Sequence, residues 1–156
     1  MAIIAKEKQN ATLEVVHMRA GKVLDRQVRE SDLIVNTGKA LAAGLLGNVS
    51  SPVALGYIAI GTGTTAPAAT DTTLQAEITT GGGARGASTN TLITTSVAND
   101  TLNMTKTFTF TSSFAVTEAG TFNAASAGTM YTRDTFGPDN VISGDTLQII
   151  VKVQIS

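Results

Sequence analysis

The chain has no cysteine, no tryptophan, one histidine and three prolines in 156 residues. Without cysteine it has neither a disulfide framework nor a thiolate metal site. With one histidine, His17, a Ser-His-Asp triad would have a single possible base. Tyr57 and Tyr131 are the only tyrosines, which leaves little from which to build an aromatic sugar platform. Charged residues make up only 15% of the chain and the net charge is −1, so no overall field draws it to nucleic acid. No run approaches the roughly 20 apolar residues of a membrane helix. The start, Met1-Ala2-Ile3-Ile4-Ala5-Lys6, lacks a basic opening and a long apolar centre, so the sequence predicts no signal peptide.

What is abundant is threonine, with 25 residues, and glycine, with 15. A β-branched, turn-rich composition favours strands over helices. Threonine and serine must also supply much of the polar surface. Such a surface is neutral and hydrogen-bonding, and suits a protein packed against others. The length allows one domain with a real core.

The chain is organised around Tyr57–Ile78, YIAIGTGTTAPAATDTTLQAEI. A short apolar strand, Tyr57 to Ile60, breaks at Gly61-Thr62-Gly63 and crosses Pro67. A turn from Asp71 to Glu77 then carries Leu74 and Ile78 toward the core. Before it, residues 12–18 and 23–29 form a predicted hairpin turning through Arg19-Ala20-Gly21-Lys22, with Leu13, Val15 and His17 on one face. Residues 37–46 are the best helix, with Asn36 or Thr37 available as cap and Gly47-Asn48 as its end. After it, residues 91–97 and 101–111 read as a hairpin around Asn99-Asp100. Leu102, Met104, Phe108 and Phe110 alternate there with a threonine face. Lys106 interrupts the apolar face, its stem over the core and its head in water. Residues 114–119 and 129–136 are further strands, across which Glu118 and Arg133 are placed to pair; exposed, such a pair is worth under about 1 kcal/mol. Gly137-Pro138-Asp139-Asn140 reads as a turn, and Leu147–Ile155 is a regular last strand.

The expected fold is mostly β: one antiparallel sandwich, or a flattened barrel, of seven or eight strands with one short helix. It occupies residues 11–156. Residues 1–10 read as an extended N-terminal arm, either a frayed terminus or a segment that orders on a neighbouring subunit through Ile3, Ile4, Lys6 and Lys8.

The catalytic inventory is thin, and the expectation is no enzyme, no cofactor and no metal. His17, on a strand with Leu13 and Val15, reads as a partly buried structural residue. Asp139 and Asp145 are placed to lie close at one end of the sheet, where two loop carboxylates could hold Ca²⁺; the dense acidic spacing of a calcium loop is absent. Gly61-x-Gly63 lacks the third glycine and following helix of a dinucleotide site. Gly81-Gly82-Gly83 and Arg85 read as a mobile tip or interface loop, without the strand, helix and lysine of a phosphate loop.

Several words are familiar in combination: LIVNTGKALAAGLLG, GTGTTAP…DTxLxxE over Gly61–Glu77, VTEAGxFNAxxxGTM over Val116–Met130, and VISGDTLQIIVKVQI. Residues 33–155 resemble a family of small tailed-bacteriophage virion structural proteins. The resemblance implies a particle component made in the bacterial cytoplasm and carries over no catalytic residue. Three placements follow. One is a capsid decoration (cement) protein, a homotrimer on the exterior of the capsid beside the major capsid protein. Another is a tail, baseplate or fibre-attachment subunit. The third, from a different class, is a carbohydrate-binding module or small hydrolase, which would need an aromatic platform or paired acids in one cleft.

Overall fold

Alternation of apolar and polar side chains produces nine strands in the computed structural model, which describes residues 9–156. They are β1 (Gln9–Arg19), β2 (Lys22–Ile34), β3 (Tyr57–Gly61), β4 (Gly86–Ala87), β5 (Thr89–Ile93), β6 (Thr101–Thr109), β7 (Phe114–Phe122), β8 (Met130–Val141) and β9 (Thr146–Ile155). Among the described residues one helix, α1 (Asn36–Gly47), follows β2. Eight of the expected arm residues lie outside the described part of the chain. The other two, Gln9 and Asn10, belong to β1, where they pair with Ile155 and Gln154 of β9.

All pairings are antiparallel, in the order β4-β3-β7-β8-β2-β1-β9-β6-β5. The sheet folds over itself at β2, which pairs with β1 from Lys22 to Asp32 and with β8 only through Leu33 and Ile34. Its two outermost strands, β4 and β5, are consecutive in the chain, separated only by Ser88. The segment therefore leaves one sheet and enters the other, and the backbone nearly closes the barrel there. Sandwich and flattened barrel meet in this arrangement: two layers, joined at both sides by a strand that changes layer.

The inward faces supply the core. Leu13 and Val15 of β1, Met104 and Phe108 of β6, and Leu147, Ile149, Val151 and Val153 of β9 are buried against Ile58, Ile60 and Val116 from the other layer. Lys106 is half-buried, its ammonium 4.8 Å from the centre of the Phe108 ring and beside Gly86. The first hairpin turns on Ala20 and Gly21, both with positive φ (49° and 76°), as in the mirror-image turns that suit twisted strands.

Two local expectations fail for tertiary reasons. The helix has Val35 as N-cap with no side-chain cap. The Thr37 hydroxyl donates instead to the Met130 carbonyl at 2.9 Å. A Cβ on Gly38 would overlap the Tyr131 carbonyl oxygen, so α1 starts pressed onto β8. Its other end is as expected, with Asn48 in the left-handed region at φ 48°. Gly137-Pro138 does not reverse the chain. Val116 faces Asp139 and Glu118 faces Thr135, so β8 bulges between those pairs and continues to Val141. Proline is tolerated there because a bulge needs no ladder N–H from it.

Candidate functional site

Several carboxylates of this charge-poor chain are used inward. His17 is 5% exposed, with Nε2 2.9 Å from Asp145 and Nδ1 3.4 Å from Asp139. Asp145 also accepts from Arg19 Nε and Nη2 at 2.7 and 2.8 Å and from the Ile142 N–H at 2.9 Å. The Arg19 hydrogen bonds hold the Asp145 carboxyl below its usual range, while burial pushes Asp139 up. Asp139 and Asp145 do converge, as their spacing suggested, but on an imidazole. With both ring nitrogens facing carboxylates, His17 has no nitrogen open to a substrate, and the cluster ties β1 to the ends of β8 and β9. Among the described residues no group of three or more His, Asp and Glu is placed to hold a metal ion. No helix among them is long and apolar enough to cross a membrane.

A second set of charges fixes the crossing loop. Glu118, fully buried on β7, accepts from the N–H groups of Gly63, Gln75 and Ala76 at 3.1, 3.1 and 2.7 Å. Arg133 of β8 donates to it through Nε at 3.0 Å, to Asp71 at 2.7 Å and to the Thr65 carbonyl at 3.0 Å. The predicted pair exists, but its surroundings are buried, and it anchors residues 61–78 rather than decorating a surface.

Arg85, placed by sequence on an interface loop, forms a third internal clamp. Its Nε donates to Glu77 at 2.9 Å and its Nη1 to the Ala127 carbonyl at 2.8 Å, while the guanidinium lies 3.5 Å from the centre of the Phe122 ring. Beside it, Gly81-Gly82-Gly83 is a packed turn rather than a mobile tip. The Gly83 N–H donates to Thr80 at 3.0 Å, and Gly81 and Gly82 take positive φ against Phe114 and Thr109. Ile3, Ile4, Lys6 and Lys8, the remaining predicted contact residues, lie outside the described residues.

Asp32 has hydrogen bonds from Thr132 and the Leu33 N–H but, among the described residues, no cation paired with it. Asp32, at the end of β2, is buried, and its Oδ1 accepts no hydrogen bond. It lines a cavity of about 550 Å³ with Asn10, Glu30 and Lys39. Burial pushes its carboxyl up to about 8. A raised value means the native state keeps a proton that the unfolded chain releases near its ordinary value. This contribution to stability is therefore intact below about pH 4 and lost as pH rises through about 8. Asp32→Asn removes the titration. The variant is expected to exceed the native chain in stability by several kcal/mol at pH 9, a gap that opens as pH rises from about 4, and to match it near pH 4. Urea unfolding at both pH values measures the difference; a pH-independent difference would contradict the assignment.

With these charges turned inward, the most distinctive outer feature is apolar. Leu46 is 88% exposed, and Val49, Val53, Leu92, Val97 and Ile155 are all more than half exposed. Leu45, Leu46, Leu55, Leu92, Leu102 and Ile155 line a groove of about 330 Å³ between α1 and the ends of β5, β6 and β9. The sequence places Leu41, Leu45 and Leu46 on one plugging helix. In the structure Leu41 alone of the three is buried, because Gly38 and Leu41 face β8 and the turn beyond them faces outward. A short helix richer in leucine than one packed face requires was the available signal. Comparison of the chain with protein-family models, with curated proteins and with solved structures finds no match in any of the three.

Proposed function

We propose that the chain is a non-enzymatic structural subunit of a bacteriophage virion: a decoration protein that binds the outside of the head shell as a homotrimer, beside the major capsid protein. The reading rests on the resemblance of residues 33–155, and the observation that carries it is the exposed apolar band around α1. Glu77, Glu118, Asp71, Asp139 and Asp145 are engaged within the fold, whereas the apolar band beside α1 stands exposed. Apolar surface of that kind, rimmed by polar residues, marks protein–protein contact. Each contact of a small domain is weak alone, but many copies on one shell act together. The nearly closed barrel supplies a rigid body for such contacts.

Copy number in purified particles tests the proposal. Densitometry against the major capsid protein is expected to give comparable numbers of the two chains. A handful of copies per particle would move the chain to the tail or baseplate. Absence from particles would overturn the virion reading.

A further inference from the structure

We propose that the groove between α1 and the β5–β6–β9 end receives Ile3 and Ile4 of a second copy of this chain. The inference deepens the arm reading, on which it rests, by naming the seat. Gln9, the first described residue, already stands on the groove rim. It pairs with Ile155, and its side-chain carbonyl accepts from the Tyr131 hydroxyl at 2.7 Å, so the point of departure of the arm is tied down. Eight residues, MAIIAKEK, precede it in the sequence, and a chain of that length could span at most about 26 Å.

Their composition argues for a neighbour rather than the same molecule. Gln9 lies on the rim of the chain's own groove, and an extended Ala5-Lys6-Glu7-Lys8 would span about 13 Å, so seating Ile3 and Ile4 beside it would need that segment to fold back. That segment holds no glycine, proline, asparagine, aspartate or serine, the residues that make tight reversals. Continuing outward instead carries the two isoleucines away from β1 and leaves Lys6-Glu7-Lys8 as a solvated bridge between copies.

The groove matches what the arm offers. Its walls are mostly aliphatic, and it has room for a pair of branched side chains. Asp100, whose carboxylate accepts from the N–H groups of Val97, Ser96 and Thr95, adds a negative charge to the rim, opposite in sign to Lys6 and Lys8. An arm passed from each copy to the next is a head-to-tail contact, which closes into a ring when the rotation between copies allows.

The absence of cysteine makes a cross-linking test clean. Full-length Ile3→Cys and Leu92→Cys are purified separately, mixed without particles and oxidised, with Val23→Cys replacing Leu92→Cys as control. Val23 is exposed near the hairpin turn, at the opposite end of β1 from Gln9. The expected result is an interchain disulfide between positions 3 and 92, identified by peptide mapping, in at least a several-fold excess over the Val23 control. A yield equal to that control would overturn the proposal. So would a double variant, Ile3→Cys/Leu92→Cys, that closes only within one chain at every concentration. Neither failure would alter the copy number in particles, so the seat and the virion reading are tested separately.

Discussion

Glu118→Ala is expected to lower stability by about 3–5 kcal/mol, or roughly 10 °C in thermal midpoint for a domain of this size. The glutamate is fully buried and accepts from three backbone N–H groups as well as from Arg133. Its removal leaves a buried guanidinium with only Asp71 and the Thr65 carbonyl, and it orphans the amides of Gly63, Gln75 and Ala76. A double variant separates this network from an ordinary buried ion pair. If the pair alone mattered, Glu118→Met with Arg133→Met would regain most of the loss, because two apolar side chains replace two mutually compensating charges. Here the three amides still lack their acceptor, so the double variant is expected to remain at least about 2 kcal/mol below the native chain. Native-like stability of the double variant would sink the network reading. The damage is expected to fall first on residues 61–78, so amide exchange there should rise more than in β9.

The second large effect is expected at Gly82. Gly82→Ala meets two obstacles: the φ of 87°, which L side chains rarely adopt, and overlap of the new Cβ with the Thr109 carbonyl oxygen. Gly21 isolates the first obstacle, since its φ is 76° and nothing lies within 4 Å of a Cβ built there. Gly21→Ala is expected to cost about 1 kcal/mol from backbone strain alone. Gly82→Ala is expected to cost about 3 kcal/mol or more, because the turn must also move off the end of β6. Chemical denaturation of both variants makes the comparison. Equal losses would mean that the turn is not packed against Thr109.

The strands were legible where one face is buried and the other wet. Leu147, Ile149, Val151 and Val153 alternate cleanly, and β9 follows them. Leu13, Val15 and His17 share the inner face of β1 as their spacing requires. The Gly137-Pro138 signal misled because a turn and a bulge draw on the same residues. Which one forms depends on whether the neighbouring strand continues, and β7 does. Arg85 misled for a related reason. A lone arginine after three glycines looks unpartnered in one dimension, yet Glu77, Phe122 and the Ala127 carbonyl reach it through the crossing of the chain.

The candidate groove was the least legible part. Leu92, Leu102 and Ile155 come from three strands, and Leu45 and Leu46 from a helix far from them in sequence. Nothing local marks them as one surface.

By itself the sequence determined the class of fold, the positions of most strands, the end of the helix and the poverty of catalytic groups. Each follows from composition or short-range periodicity, which neighbouring residues set among themselves. Only the tertiary structure decided that Glu118 and Arg133 are buried, that Asp139 and Asp145 meet at His17, and that α1 leaves two leucines outside. Those outcomes depend on which strands lie side by side and in what register. Side chains with the same local pattern face core, partner or water according to that long-range choice.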